Sequence, residues 1–386
     1  MELDRAVKKR VIFRAPSLTQ SGYGVHSRQI ARWLLSREDF DVKFNVLPWG
    51  STSWTIDRNA YDGLIGRILD NSVPLTERGF EFSVQMQLPN EWDPTLAPIN
   101  VGMTAGIETT VCNPTWINDC KRMSLVVVPS NHALQSLDVP NNGVVVPEAF
   151  SGALLTGNDR MKFSTPFNFL LFGQITSSDA AGDRKNTFNQ LVWMFNEFKD
   201  DRDVGIVLKT NAGRNSFMDR DAVIGVVKKM IADHRKGDHP RVHLLHGDVD
   251  EMTLGSLYRG VDALVSATRG EGFCLPMLEA TAIGLPVIAT GWSGHLDYLS
   301  MGKFIELYYD LVPIPESRID DVMFMRGARW AEVKETDFRK KLKKFRQSSS
   351  IPREWTSNLA ERVKVENSEA RVMRLYDDLF KTRFSI

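Results

Sequence analysis

Glu271 and Glu279 stand eight residues apart in the stretch EGFCLPMLEATAIG. Glu271 lies between Gly270 and Gly272, in a turn, whereas Glu279 falls inside LPMLEATAIG, which reads as a helix. Pro276 marks the first turn of that helix, where a missing amide costs nothing. The amides of Phe273, Cys274 and Leu275 then point out of the helix start, and free amides at the positive end of a helix favour an anion. Gly270 and Gly272 carry no Cβ, so the backbone can approach a ligand closely. A carboxylate repels phosphate but accepts hydrogen bonds from sugar or ribose hydroxyls. A ligand with hydroxyls at both ends and phosphates between them suits this order of groups, and a nucleotide-sugar is such a ligand. The plainer alternative makes Glu279 a solvated helix residue and Glu271 a loop charge.

These residues must be positioned by the elements around them, and the chain supplies a regular series. Apolar runs alternate with helical patterns: RVIFRAP, DVKFNVLP, FEFSVQMQL, NVGMTAG and SLVVVPS read as strands, and Ile30, Trp33 and Leu34 mark the first helix. After the Gly/Ser/Thr-rich stretch SGALLTGNDRMKFSTP the series restarts. FNFLLFG, VGIVLKT, RVHLLHG, ALVSAT and PVIAT read as strands, and NTFNQLVWMFNEFKD, RDAVIGVVKKMIADHRK, EMTLGSLYRGV and LPMLEATAIG as helices. Strand–helix alternation implies parallel sheets covered on both faces. The expected fold class is α/β, with two facing doubly wound Rossmann-like domains and a cleft between them. Residues 1–163 form an N-terminal domain and residues 164–367 the second, while SEARVMRLYDDLFKTRFSI, over 368–386, reads as an amphipathic helix that could pack anywhere. Ligands of such sheets bind beyond the carboxyl ends of the strands, and the turn holding Glu271 directly follows the strand ALVSAT.

Lys plus Arg number 48 and Asp plus Glu number 48, so no global basic field draws the protein to nucleic acid or to an anionic membrane. The cysteines Cys112, Cys120 and Cys274 have no metal-ligand or CxxC spacing, which points to a reducing compartment. The charged N-terminus is followed by an apolar run, VIF, too short for a signal peptide, and no stretch is long enough to span a bilayer. The expected location is cytoplasmic.

EGFCLPMLEATAIGLPVIAT resembles the E-x7-E signature of the large family-4 group of GT-B glycosyltransferases. The resemblance implies that the helix over 368–386 rejoins the N-terminal domain of residues 1–163, and that Glu279 binds the nucleotide ribose. It implies that Glu271 and the backbone of Gly272, Phe273, Cys274 and Leu275 hold the donor sugar and diphosphate. GDRKNTF resembles the family's phosphate-binding turn, making Lys185 a diphosphate ligand with Arg184 beside it. Gln174 stands where the family usually has an arginine, and Lys209, at the end of VGIVLK, is the candidate second cation. HGDVDE resembles the loop that receives the base, with the backbone at Asp248 and Val249 reading a uracil edge. QSGYGVHSRQIARWL resembles the family's first glycine loop, with Gly22 and Gly24 approaching the diphosphate. More loosely, SGYGVHSRQ, LPWG and TAGIETT together resemble glycosyltransferases carried by tailed bacteriophages.

Other candidates have competing readings. Asp201/Asp203, Asp219/Asp221 and Asp248/Asp250 are Asp-x-Asp triplets that can hold Mg²⁺ or Mn²⁺ on a diphosphate. Only the last follows a strand, and a cation there would duplicate the lysines, so loop and helix-cap roles are expected and no metal is required. His26, on the face of Ile30 and Trp33, is either a packed residue or a sugar or phosphate contact. Glu108 is either a loop charge or a contact to donor sugar or acceptor. The catalytic candidates are therefore Glu271, Lys185, Glu108 and His26. Trp49, Trp54, Trp92 and Trp116, with Arg58, Arg67, Lys121 and Arg122, offer aromatic and basic groups to an acceptor in the first half.

The resulting expectation is a hexosyl- or pentosyltransferase, and the resemblance implies that it retains the anomeric configuration. It moves a sugar from a nucleotide-sugar co-substrate, foremost a UDP-sugar, to an acceptor hydroxyl, with no other cofactor. The acceptor is a saccharide or small molecule, or alternatively a hydroxymethylated base in DNA. A nucleotide-sugar epimerase and a non-catalytic sugar-nucleotide binder are the other classes left open. A Rossmann dehydrogenase is disfavoured, because SGYGVHS places His26 and Ser27 where a third glycine would stand.

Overall fold

The computed structural model describes residues 8–139, 141–174, 180–235 and 240–386. The chain forms two compact units. Unit 1 takes the described residues up to Gly106, then Cys112–Glu148 and Val372–Ile386; unit 2 takes Ile107–Val111 and Ala149–Arg371.

Unit 1 is built from β1 (Lys9–Ala15), α1 (Gly22–Ser36), β2 (Phe40–Val46), α2 (Leu64–Asp70), β3 (Phe82–Met86), β4 (Ile99–Met103), α3 (Pro114–Arg122), β5 (Leu125–Val128), α4 (Asn131–Leu137) and β6 (Gly143–Val145). The strands form one parallel sheet in the order β2-β1-β3-β4-β5-β6. Every residue of β3 and β5 is buried; the unbroken apolar run of β5 suits a strand covered on both faces, and in β3 the polar Ser83 and Gln85 are buried with a hydrogen bond between them. The spacing of Ile30, Trp33 and Leu34 puts all three on the buried face of α1. The Ser21 hydroxyl accepts the Gly24 amide at 3.0 Å and starts that helix.

Unit 2 continues with β7 (Phe167–Gly173), α5 (Thr187–Glu197), β8 (Val204–Thr210), α6 (Phe217–His234), β9 (Arg241–His246), α7 (Glu251–Gly260), β10 (Ala263–Ser266), α8 (Leu275–Ile283), β11 (Val287–Thr290), α9 (Leu296–Leu299) and β12 (Ile305–Leu307). After them come β13 (Tyr309–Pro313), β14 (Arg329–Val333), α10 (Glu335–Gln347), α11 (Ser350–Glu366) and α12 (Glu369–Phe384). The second parallel sheet runs β12-β11-β10-β7-β8-β9. Alternate residues of β7 serve opposite faces. Phe169 and Leu171 join one core with Leu191, Met194 and the α10 residues Phe338, Leu342 and Phe345, while Leu170 joins another with Leu257, Leu278 and Leu359. Two cores on one sheet make the doubly wound layer pattern expected from the strand–helix alternation. The helix expected to reach Lys236 is described to His234, and Lys236 lies outside the described residues.

Three features depart from the sequence reading. β12, β13, β14, α10 and α11 follow the last strand read from the pattern, and β13 pairs antiparallel with β14 beside a small cluster of Ile314, Phe324, Ala328 and Trp330. Residues 149–163, expected in the first domain, pack with unit 2: Phe150 and Leu154 enter its core, and Arg259 donates to the carbonyls of Leu154, Thr156 and Asp159. The terminal helix divides between units, and its share of unit 1 buries Val372, Tyr376 and Phe380, one side chain per turn. Tyr376 stacks on Trp33 with centroids 4.9 Å apart, and the Trp33 indole N–H donates to Asp377 at 2.9 Å.

Candidate functional site

The turn before α5 is fixed from two sides. Asp183 accepts the amides of Thr187 at 2.6 Å and Lys185 at 3.1 Å, capping the helix. Asn186 takes a left-handed backbone conformation, φ 54°, and its side-chain amide donates to the Ala267 carbonyl. From the turn after β10, buried Arg269 donates through one nitrogen to the carbonyls of Ala180, Ala181 and Asp183, and its Nε pairs with Glu332 of β14 at 2.7 Å. This bracing directs Arg184 and Lys185 toward the turn after β10.

Glu271, only 5 % exposed, receives both. Lys185 Nζ lies 2.7 Å from Oε1 and 2.9 Å from Oε2. Arg184 Nη1 is 3.3 Å from Oε2, and Arg184 Nη2 is 3.4 Å from the Glu108 carboxylate. The Thr268 hydroxyl donates to Oε1 at 2.8 Å, and the Glu271 amide donates to the Ser293 hydroxyl at 2.9 Å. Burial alone pushes the Glu271 carboxyl up, but Lys185 and Arg184 outweigh it and hold it at about 2. Arg184 pays for burial too, and Glu108 and Glu271 nonetheless raise it above its ordinary value. The cluster thus holds two cations and two carboxylates, and two of the three donors of Lys185 point at Glu271.

Directly after Glu271 comes the start of α8. Cys274 caps it in a left-handed conformation, φ 73°, and its carbonyl accepts the amides of Met277 and Leu278. Among the described residues, the amides of Phe273, Cys274 and Leu275 donate to no protein group. The Tyr298 hydroxyl donates to the Cys274 carbonyl at 2.7 Å and locks the turn from α9. Glu279 follows in α8, partly buried, accepting the Tyr258 hydroxyl on Oε2 at 2.7 Å. Burial pushes its carboxyl up to about 7, against the pull of that hydrogen bond. Glu279 is therefore a half-buried carboxyl held by a hydrogen bond, with no ion pair among the described residues.

Lys209 belongs to a second group of residues at the same sheet edge. Its ammonium donates to the Gly247 carbonyl at 2.6 Å and to Asn211 at 2.7 Å, and burial lowers it to about 8. Asn211 and Asn215 each donate to one oxygen of Asp248, at 2.8 Å. Lys209 thus fastens the turn containing Asp248 and Val249, and two of its three donors are engaged there. Asp250 caps α7 through the Thr253 amide, Asp219 accepts the Ser216 hydroxyl at the start of α6, and Asp201 pairs with Arg346. No group of three or more His, Cys, Asp or Glu suited to a metal occurs among the described residues.

Gly22, Gly24 and His26 sit in unit 1 at the start of α1. A Cβ on Gly22 would meet nothing within 4 Å, whereas one on Gly24 would stand 2.0 Å from the Thr19 carbonyl oxygen. Gly24 therefore serves the chain's own close packing. Gly270, read as a point of ligand approach, behaves likewise, since a Cβ there would stand 2.0 Å from the Glu108 carbonyl oxygen. His26 is buried with Nδ1 3.9 Å from Glu148, and burial lowers it to about 3, so it is neutral. Trp116 and Trp92 are also buried, the latter against Gly102. Trp49 stacks on Tyr23 at 4.0 Å, and Trp54 remains 46 % exposed. Only Trp49 and Trp54 of the four tryptophans keep a face for another molecule.

The structure therefore gathers Glu108, Arg184, Lys185, Glu271 and the first amides of α8 into one cluster. Sequence reasoning missed Thr268, Arg269, Ser293, Tyr258 and Tyr298, which orient it. Ser293 had a visible signal: in GWSGH it lies beside Gly294, and it adopts φ 91°, a conformation that a serine holds only under constraint.

Residues 221–306 match the family described as "Glycosyl transferases group 1". No curated protein matches the sequence. Among solved structures, the chain is similar to a glycosyltransferase from Rickettsia africae, with 13 % identity, TM-score 0.66, and 97 % of this chain and 98 % of that one covered. It is similar to sucrose-phosphate synthase from Thermosynechococcus elongatus, with 12 % identity, TM-score 0.64, and 98 % and 100 % covered. It is also similar to Anabaena HepE in complex with UDP-glucose, with 12 % identity, TM-score 0.60, and 97 % and 99 % covered. The fold is two parallel-sheet Rossmann-like domains with GT-B neighbours. Residues 221–306 thus carry a glycosyltransferase group 1 domain, within a fold shared with glycosyltransferases of solved structure.

Proposed function

We propose that the protein is a retaining glycosyltransferase of the family-4 kind that transfers a sugar from a UDP-sugar to an acceptor hydroxyl. The observation that carries the reading is the convergence of Lys185 and Arg184 on Glu271 beside the unpaired amides of Phe273, Cys274 and Leu275, with Glu279 one turn further into α8. Cations and amides receive the diphosphate, Glu271 receives donor-sugar hydroxyls, and Glu279 receives the ribose. Asp248 and Val249 offer backbone groups to the base, from a turn held by Lys209. Unit 2 is the donor domain on this reading and unit 1 the acceptor domain. As the glycosidic bond breaks, charge grows on the leaving diphosphate, and the third N–H of Lys185 and the α8 amides stabilise it. The leaving phosphate takes the acceptor proton, so no separate base is needed. Neutral, buried His26 shapes the start of α1 without contributing charge.

Incubation with a panel of UDP-, GDP- and ADP-sugars, each with saccharide acceptors or hydroxymethylated duplex DNA, tests the reading. Transfer from a UDP-sugar with the donor's anomeric configuration kept in the product is expected. Inversion at the anomeric carbon would remove the retaining mechanism, and transfer from another nucleotide alone would remove the uracil assignment. Sugar incorporated into DNA, weakening steeply with salt, would replace the saccharide as acceptor.

A further inference from the structure

The Tyr258 ring is fully buried near the end of α7, in the core that contains Leu170, Val207 and Leu278, with the Phe172 ring 5.8 Å away. A buried phenol needs a hydrogen-bond partner. Its partner is Oε2 of Glu279, at 2.7 Å, across the α7–α8 interface. Burial raises the phenol well above its ordinary value, so Tyr258 stays a neutral donor across the working range of pH. The Glu279 carboxyl also faces Glu251 of α7, whose charge pushes it up, while Cys274 and Tyr298 are the other titratable groups facing Tyr258.

We infer that Tyr258 is a positioning residue for nucleotide recognition: its hydroxyl fixes Oε2 of Glu279 and so turns Oε1 toward the ribose. The inference rests on the reading of Glu279 as the ribose ligand. Two consequences follow from the geometry. The carboxylate reaches the nucleotide in one rotamer, because its other oxygen is pinned by Tyr258 from the neighbouring helix α7. The same bond favours the ionised carboxylate, the form that accepts ribose hydroxyls best, and it opposes the burial that pushes Glu279 up to about 7. Nucleotide affinity of the native protein therefore rises as pH climbs through neutrality.

The test is UDP binding by calorimetry between pH 5.5 and 9 for the native protein, Tyr258→Phe and Glu279→Gln, with thermal unfolding as the control for folding. Affinities are read as variant-to-native ratios at each pH, which cancels the titration of UDP itself. Glu279→Gln should bind weakly, and its ratio should worsen as pH rises. Tyr258→Phe should move the midpoint of the native profile upward, and each unit of movement costs about tenfold in affinity on the acid side of it. For a one-unit movement the Tyr258→Phe loss should therefore approach about tenfold at pH 5.5, be about fivefold at pH 7 and shrink towards pH 9. A Tyr258→Phe ratio constant with pH, beside a weak Glu279→Gln, would overturn the inference and leave the ribose reading standing. Unaltered affinity in Glu279→Gln, or no UDP binding by the native protein, would overturn the ribose reading itself.

Discussion

The Lys185 ammonium straddles the Glu271 carboxylate, 2.7 Å from one oxygen and 2.9 Å from the other. Each group makes the other tolerable. A nearly buried carboxylate without a cation would protonate, and a lysine without that carboxylate would lose its direction.

Lys185→Ala should lower kcat/KM by at least about a hundredfold, since a hydrogen bond to a charged group is worth about 1.5–3 kcal/mol and more where charge develops. It should also cost about 2 kcal/mol of stability by denaturant unfolding, because Arg184 remains as a partner for Glu271. Near-native kcat/KM would take Lys185 out of the reaction.

Acid stability should fall in two windows. The folded-state values of His26 and Glu271 both lie below their ordinary ones, so the folded protein binds fewer protons than the unfolded chain. The His26 contribution is present above about pH 6.5 and disappears as pH falls toward 3; that of Glu271 is present above about 4.5 and disappears toward 2. Glu279 acts in the opposite sense, its unfavourable ionisation growing as pH rises from 4.5 to about 7. Chemical unfolding of His26→Gln from pH 7 to 4 should show a flatter dependence than the native protein, and parallel curves would contradict a buried neutral imidazole.

Gly24→Ala and Gly270→Ala should each destabilise the fold by several kcal/mol or prevent expression, because the new methyl must displace a backbone carbonyl. Gly22→Ala should stay within about 1 kcal/mol of native, having open space around it. Loss of activity in Gly22→Ala at native stability would support a ligand passing over Gly22. Equal melting temperatures for all three would contradict the packing.

EDTA should leave turnover intact, because Asp248 is held by two asparagines and Asp250 by its helix. A strict requirement for Mn²⁺ or Mg²⁺ would move the diphosphate away from Lys185 and the α8 amides.

The parallel sheets were legible because buried strands such as LVVV and VGIVLKT are continuous apolar runs, and the helices between them carry a clear period. β13 and β14 were not, since their pairing joins residues far apart across the intervening loop and their exposure follows no simple alternation. At the site, Glu271 and Glu279 stood out through glycine and proline placement, and Lys185 through the likeness of GDRKNTF to a phosphate-binding turn. Tyr258 and Arg269 did not, because a core tyrosine and a loop arginine look ordinary until the fold brings Glu279 and Glu332 to them. Gly24 and Gly270 were read as openings for a ligand, yet sequence cannot distinguish room left for a substrate from room left for the chain itself.

The return of Val372–Ile386 to unit 1 sets an order of assembly. During synthesis the first unit leaves the ribosome with Trp33 uncovered, and its cover, Tyr376 and Phe380, emerges only after all of unit 2. Domains commonly fold in the order in which they are made; here the first-made unit must wait for the last-made helix. A nascent chain stalled before residue 372 should expose an aromatic patch to chaperones, and supplying the 372–386 segment as a separate peptide should close it.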